Sequence, residues 1–354
     1  MFPSLPLAPR GSLTAAALLF PLLTAVASAQ EEMPTPSPML RGFDKFLGHF
    51  EGSGTHSSPM GEVEWTARSS SAWVLNDFFL EFRLAVEVAG TAPWRLDAFM
   101  GYDAINERLV SYNFGSDEKL GEIQTMHWAD DNTLIGVSSE TTADGTTFLR
   151  STYTFDDSGY DMKYERCVGG GDFEVEVAGR YNRVEEAEPM PAEVAFEFGQ
   201  PVSDSMKQLG PMLGSWRTEG WMVMPGVPGK QELTGREVVR KRMGGHVVQF
   251  ETEGTIKGAP FTYNAIGFLE WDVKRESYRF VTFSNMGEYM QNEMRWTDDG
   301  ALISFSSMDW MGQSLVSRSV LTMDGDAMTM DAHAIMGTGD PMQQFHMGYF
   351  REDD

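Results

Sequence analysis

The sequence predicts an all-β protein built from two tandem antiparallel β-barrels, each preceded by a short helix. Three observations predict this class. The chain repeats itself at an offset of 168 residues. Both halves consist of short aromatic and β-branched runs that alternate with turn residues. A proline-containing acidic segment separates the halves. Because closing an antiparallel sheet removes its exposed edges, we expect each half to form a barrel.

The internal repeat is carried by several independent matches. The run MHWADD at 126–131 aligns with MRWTDD at 294–299, and YNR at 181–183 aligns with YFR at 349–351. The segment 78–82 aligns with 246–250 at the same offset. These matches span most of both halves, so we expect both to share one fold.

The chain divides into five segments. These are a signal peptide at 1–29, a proline-rich tether at 30–38, a first barrel at 39–185, an acidic proline-containing linker at 186–200 and a second barrel at 201–354. The apolar stretch that ends at Ala27-Ser28-Ala29 has the small-residue pattern of a signal-peptidase site. We therefore expect a secreted or periplasmic protein after cleavage following Ala29.

Within each half, a short helix precedes the strands. We predict helices at 39–46 and 203–209, with Ser203 or Asp204 as N-cap of the second and Gly210 at its end. Strand character is clearest in two period-two alternations, 160–165 in the first half and 328–333 in the second.

Charge and cysteine content exclude several function classes. The net charge of −25 repels nucleic acid and anionic lipid, and no later segment is apolar enough to predict insertion into a membrane. The single cysteine, Cys167, excludes an internal disulfide framework and a multi-cysteine metal site. Its repeat partner is Ile335, so we expect a buried thiol and no intermolecular contact through it.

Short motifs resemble those of known barrel families. GHF at 48–50 and GSW at 214–216 resemble the Gly-x-Trp signature of calycin barrels, the lipocalin and nitrobindin group. In that group an arginine on the last strand packs across the first-strand aromatic ring. The resemblance therefore implies that Arg183 covers Phe50 and that Arg351 covers Trp216, closing one end of each barrel.

The second half is also similar to a bacterial family named domain of unknown function 1579, so the chain resembles a tandem repeat of that family. The shared pattern is LGSW at 213–216, GGH at 244–246, EWD at 270–272 and YFR at 349–351, and the first half has GYD at 101–103. This resemblance implies a barrel with a ligand-holding cavity, and it supplies no catalytic residue.

The search for catalytic motifs finds none. The sequence lacks a nucleophile elbow, a zinc-binding HExxH helix, a phosphate loop and a dinucleotide fingerprint. We therefore predict an exported, non-enzymatic protein that binds a small apolar ligand. Two alternatives stay open: a haem- or metal-binding nitrobindin-like protein, and an isomerase or hydrolase acting on a ligand held in a barrel. No cofactor is predicted for the leading function.

Differences between the halves predict that the second barrel holds the larger cavity. His246, Met328 and Ala332 stand where the first half has Phe78, Tyr160 and Tyr164, which frees volume and adds a polar group. The predicted cavity residues are His246, Met222, Met224, Met328 and Met330. The alternative is that this histidine and these adaptable methionines are core residues.

One metal site is also conceivable from the spacing of histidines on the last two strands. Asp331 and His333 alternate on one strand, and His346 lies on the next. A turn centred on 337–340 would place Asp331 opposite His346 and His333 opposite Gln344. Two histidines and a carboxylate can bind a divalent ion, whereas exposed strand histidines with no ligand are the alternative.

Overall fold

A computed structural model describes residues 35–58, 61–88, 90, 93–104, 106–115, 121–142, 145–185, 201–223, 228–310, 313–336 and 341–352. The predicted signal peptide, the linker at 186–200, the turn at 337–340 and Met224 lie outside these residues. None of the helices in the described part of the chain combines the length and the apolar character needed to cross a membrane.

The described chain forms two closed antiparallel barrels of ten strands each, which confirms the predicted fold class. The strands of the first barrel are β1 Gly48–Ser58, β2 Gly61–Val74, β3 Phe79–Val88, β4 Trp94–Asp103, β5 Arg108–Gly115, β6 Glu122–Trp128, β7 Thr133–Thr142, β8 Gly145–Asp156, β9 Gly159–Val168 and β10 Glu174–Val184. Those of the second are β11 Gly214–Val223, β12 Lys230–Arg242, β13 Val247–Ile256, β14 Thr262–Asp272, β15 Ser277–Ser284, β16 Tyr289–Trp296, β17 Leu302–Trp310, β18 Gln313–Asp324, β19 Ala327–Met336 and β20 Met342–Arg351.

Each barrel is a simple up-and-down meander in which the first strand also pairs with the last. In the first barrel His49 lies opposite Val184, and in the second Trp216 lies opposite Arg351. Alternation of apolar and polar residues produces this closure, since one face of every strand must be buried. On β19, for example, Met328 and Met330 are buried and His333 is exposed.

A short helix covers one end of each barrel. A 3-10 helix at Pro38–Phe46 buries Leu40, Phe43 and Phe46 against the first barrel. In the second half, the helix α1 at Asp204–Gln208 begins at Ser203, whose side chain accepts a hydrogen bond from the Met206 amide. Another 3-10 turn, Gly210–Met212, follows α1 directly, so Gly210 begins a turn rather than ending the helical segment.

An arginine from the last strand joins each helical segment to its barrel. The guanidinium carbon of Arg351 lies 4.2 Å from the centre of the Trp216 ring, and that of Arg183 lies 4.7 Å from the centre of the Phe50 ring. Arg351 also donates hydrogen bonds of 2.8 Å to the carbonyls of Leu213 and Pro211. The arginine thus stacks on an aromatic ring and satisfies carbonyl groups at the end of the 3-10 turn.

The two barrels pack against each other through the outer faces of β3–β5 and β13–β15. Their buried side chains form one aromatic and aliphatic cluster: Phe78, Phe79, Phe99, Tyr112 and Phe114 from the first barrel, and Met243, Val247, Phe268, Val281 and Phe283 from the second. These strands are buried on both faces, one facing the barrel interior and the other the partner barrel. The sequence analysis did not predict this interface.

Buried ion pairs accompany the apolar contact. Asp97 is fully buried, receives two hydrogen bonds from Arg95 at 2.9 and 3.0 Å, and also accepts one from Arg242 of the second barrel. Nearby, Glu270 pairs with Arg279 at 2.6 Å and accepts a 3.0 Å hydrogen bond from the Gly121 amide of the first barrel. Each carboxylate therefore has its charge compensated inside the interface.

Candidate ligand cavity in the second barrel

A cavity of about 50 Å³ lies inside the second barrel, the half for which the sequence predicts it. At roughly 10–15 Å³ for each enclosed water, this volume holds about three to five waters or a small organic molecule of similar size. Its apolar wall is formed by Leu233, Ala265, Met330, Phe345 and Met347. Because the wall is mostly apolar with a few polar groups, it has the character of a ligand site.

The polar centre of this cavity is the carboxyl group of Glu237. The residue is only 3% exposed and its side chain accepts a 2.9 Å hydrogen bond from the Thr252 hydroxyl. Burial raises the pKa of Glu237 to about 7, and the Thr252 hydrogen bond opposes this rise. The group therefore titrates near neutral pH.

Among the described residues that line the cavity, no cation compensates Glu237. Of the described residues that line the cavity, the ionisable ones are Glu237, Glu253, Tyr263 and Tyr349, and none is a lysine, arginine or histidine. Burial, reinforced by the neighbouring Glu237, keeps the pKa of Tyr349 well above its ordinary value. An uncompensated carboxylate in such surroundings is costly unless it is protonated or a ligand supplies the missing charge.

Unused hydrogen-bonding groups also point into the barrel. Thr282 lines the cavity, is 4% exposed, and its hydroxyl has no hydrogen-bond partner among the described residues. Asn292 on β16 is 1% exposed, and neither atom of its amide group has a partner within the same part of the chain. Buried polar groups nearly always have hydrogen-bond partners. The side chains of Thr282 and Asn292 therefore indicate that water or a ligand binds inside the barrel.

Comparison of the two halves explains why this cavity forms in the second barrel. Gly254 lines it, and a Cβ built there would have one neighbour within 4 Å, the Thr234 carbonyl at 3.8 Å. The repeat places Val86 at this position in the first barrel, and Trp65 in place of Leu233. Both first-barrel residues are buried. The first barrel thus fills with side chains the volume that the second leaves open.

Aromatic rings fill the rest of the first barrel. Tyr160 stacks on Tyr181 with ring centroids 4.8 Å apart, and it contacts Phe50 edge to face at 5.2 Å. Trp65 lies 5.6 Å from Tyr181. In the second barrel Met328 replaces Tyr160, whereas Tyr349 is kept as the counterpart of Tyr181. Tyr160 and Met328 therefore differ inside the barrels as predicted, whereas Phe78 lies in the interface between the barrels and not inside the first one.

The predicted cavity residues are not all at the cavity. Met330 lines it, whereas Met222 and Met328 are buried core residues outside its lining. His246 was expected on an inward strand position, and this placement is wrong. It follows the 3-10 turn Met243–Gly245, has helical backbone angles, and precedes the start of β13 at Val247. The helical backbone of His246, with φ −74° and ψ −18°, interrupts the alternation directly before Val247, so parity with β13 does not extend to His246.

The predicted metal cluster does not form. Asp331 lies opposite His346, as predicted, and their side chains hydrogen-bond at 2.8 Å. A β-bulge between Ala332 and His333 places His333 opposite Gln343 rather than Gln344, away from the Asp331–His346 pair. Among the described residues, no group of three histidine, cysteine, aspartate or glutamate side chains could hold a metal ion.

The single cysteine and the three histidines of the first barrel have structural roles. Cys167 is buried and its thiol hydrogen-bonds to the Gly171 carbonyl at 2.9 Å. His49 and His127 are exposed on strands. His56 also lies on a strand, β1.

Glu237 is the site residue that the sequence analysis missed. Acidic residues are so frequent in this chain that no pair stands out as a general acid and base. The signal that identifies Glu237 is its parity, since it lies on the same face of β12 as the buried residues Leu233 and Val239. Its equivalent in the first half is Ser69. A charged residue at such an inward position indicates a polar group inside the barrel.

The fold and cavity define a protein with two tandem ten-stranded barrels and a small cavity in the second. No family model and no curated protein matches the chain, so its resemblance to domain of unknown function 1579 stays a prediction. The structure is similar to that of Rv2717c from M. tuberculosis, at 16% identity and a TM-score of 0.35 over 43% of this chain and all of that one.

Two further solved structures are similar over most of this chain. One belongs to the DUF3598 family and comes from Nostoc punctiforme, with 12% identity and a TM-score of 0.27 over 89% of this chain and 100% of that one. The other is described as a putative outer membrane protein from Bacteroides fragilis, with 8% identity and a TM-score of 0.21 over 88% and 99% of the two chains.

Proposed function

We propose that the protein is a small-molecule binding protein whose second barrel encloses the ligand and whose first barrel is a packed structural partner. The observation that carries this proposal is the cavity itself. It combines an apolar wall, a buried carboxyl group at Glu237 and a hydroxyl at Thr282 with no partner among the described residues. A few fixed polar groups in an apolar cavity are the usual basis of small-ligand specificity.

Haem, which the nitrobindin resemblance implies, does not fit this cavity. The residues that line it include no histidine or cysteine, and its volume of about 50 Å³ is far below that of a porphyrin. We therefore favour a small organic ligand over a haem group.

Native mass spectrometry of the full chain purified from its own host tests the proposal. We expect wild-type protein to carry an additional small mass that is absent from Gly254→Val. This variant introduces the side chain that the first barrel has at the same position, at a backbone position with room for a Cβ. Unliganded wild-type protein, with no small probe able to bind it, would contradict the proposal.

The matched control is His246→Phe, which also introduces the residue of the first barrel. Because His246 lies outside the lining of the cavity, this variant should retain the bound mass. Loss of the ligand from both variants would place binding elsewhere in the protein.

The predicted export fits this function, and we propose that the protein acts outside the cytoplasm after cleavage following Ala29. N-terminal sequencing of the secreted or periplasmic fraction should begin at Gln30.

A further inference from the structure

We propose that the ligand of the second barrel is a small organic cation, a protonated amine with an apolar body, whose ammonium group pairs with the Glu237 carboxylate. This inference rests on the proposed ligand-binding function and names the chemical class that the cavity selects. Four independent features of the cavity and the chain support it.

The first feature is the missing counter-charge. Glu237 is buried at 3% exposure, and the hydroxyl of Thr252 donates to it at 2.9 Å. The described lining of the cavity contains no basic side chain. Elsewhere in this protein buried carboxylates are paired with arginine, as Asp97 is with Arg95 and Glu270 with Arg279. Glu237 departs from that pattern inside a cavity where a ligand could supply the cation.

The second feature is the aromatic lining. Rings of Tyr263, Phe345 and Tyr349 face the same cavity from β14 and β20. Aromatic faces attract cations electrostatically, and the attraction is strongest at desolvated sites such as this one. Neutral apolar ligands would gain burial from these rings but would leave the carboxylate uncompensated.

The third feature is the supply of hydrogen-bond acceptors. An ammonium group donates up to three hydrogen bonds. Glu237 accepts one, and the hydroxyls of Thr218 and Thr282 line the same cavity, that of Thr282 having no partner among the described residues. The site therefore has several oxygen atoms available for one compact cationic group.

The fourth feature is the net charge of −25, which raises the local concentration of cations around the protein and repels anionic molecules. It favours capture of an amine and disfavours carboxylate or phosphate ligands. The carboxylate inside the barrel has the same preference, so the surface and the cavity select the same class of ligand.

Protonation of the site determines how binding depends on pH. The ionisable residues around Glu237 are Glu253 on β13, Tyr263 on β14 and Tyr349 on β20, and its own strand carries outward-facing arginines that pair at the surface. The pKa of Glu237 is raised to about 7 by burial. An amine cation binds the ionised carboxylate, so affinity should rise with pH up to about 7 and then level off.

Calorimetric titration of the full chain with isobutylammonium and with its neutral isostere isobutanol tests the inference. We expect the ammonium ion to bind wild-type protein about tenfold tighter than the alcohol, or more, at about pH 8. The Glu237→Gln variant should lose this preference. At about pH 5.5 the affinity of wild-type protein for the ammonium ion should fall by about thirtyfold relative to about pH 8, because only a small fraction of Glu237 is then ionised.

Control variants separate the outcomes. Glu232→Gln removes an exposed carboxylate from the same strand, and it should keep the preference for the ammonium ion. Equal affinities for the two probes in wild-type protein, both lost in Gly254→Val, would overturn the cationic ligand and leave the binding cavity in place. Binding of neither probe would contradict the cavity as a small-molecule site.

Discussion

Phe114 of the first barrel packs against Phe268 of the second with ring centroids 4.5 Å apart, and this contact has a counterpart related by the internal repeat. With the one-residue shift that also aligns GYD at 101–103 with EWD at 270–272, Phe99 aligns with Phe268 and Phe114 aligns with Phe283. The counterpart contact, Phe99 with Phe283, has a centroid distance of 5.2 Å. On the axis between them, Phe99 lies 5.0 Å from its own repeat partner Phe268. The interface therefore has approximate twofold symmetry.

This symmetry predicts the behaviour of the second half expressed alone. Residues 201–354 should fold but expose Phe268, Val281 and Phe283, which are buried in the full chain. A self-related apolar face favours a twofold dimer, so we expect this fragment to be dimeric by sedimentation equilibrium. Its unfolding should be cooperative, with a midpoint that rises with concentration.

Phe268→Lys is the control for this prediction, because it places a charge at the centre of the face without touching the barrel interior. It should yield a monomer. A wild-type fragment that stays monomeric and soluble at micromolar concentration would contradict the prediction.

The second prediction concerns the ion pairs between the barrels. Asp97→Ala leaves Arg95 and Arg242 without their shared carboxylate in a buried site, and such losses cost about 3–5 kcal/mol. We expect that decrease in the free energy of urea-induced unfolding. Glu232→Ala, which breaks an exposed pair with Lys257, should change stability by less than about 1 kcal/mol. Similar effects from both would show that the buried pair has no special role.

The third prediction concerns the contact that closes the second barrel. Trp216 is fully buried, so Trp216→Ala should cost about 3–5 kcal/mol. Arg351→Ala should cost less, and a double-mutant cycle should show a coupling of about 0.5–3 kcal/mol because the guanidinium lies on the ring. Arg351→Lys keeps the charge but not the paired hydrogen bonds to Leu213 and Pro211, so it should recover only part of the loss. Additive single effects would argue against the stacking.

The fourth prediction concerns the pH dependence of stability. The pKa of Glu237 rises from 4.5 to about 7 on folding. The folded state therefore binds the proton more tightly, and the resulting stabilisation is complete below about pH 4.5 and lost as pH rises through about 7. The expected loss is at most about 3 kcal/mol.

Thermal unfolding of wild-type protein and Glu237→Gln measures this effect. The amide cannot ionise, so the variant should be the more stable protein at about pH 8, and the difference should shrink toward about pH 4. Identical pH profiles for the two proteins would mean that Glu237 is solvated in the folded state.

Sequence patterns were most informative where one local rule decides the structure. Alternation at Met328, Met330 and Ala332 predicted the inward face of β19, and the side chain of Ser203 caps α1 as predicted. Prediction failed where the pattern is interrupted. The helical backbone of His246 removed it from β13, and the bulge after Ala332 moved His333. A shift of one residue in a strand reverses which face a side chain occupies.

The sequence by itself determined the two-barrel architecture, because the internal repeat duplicates one all-β unit and closure removes the exposed edges of each antiparallel sheet. Only the tertiary structure decided how the barrels meet and what lies inside the second. Phe99 and Phe268 would have the same apolar character whether they faced a barrel interior or the other barrel. Their contact therefore depends on how the two barrels pack together and not on the local sequence pattern. Glu237 likewise resembles many surface acids along the chain. Its inward position, the space beside Gly254 and the absence of a nearby cation in the cavity lining arise only when distant strands come together.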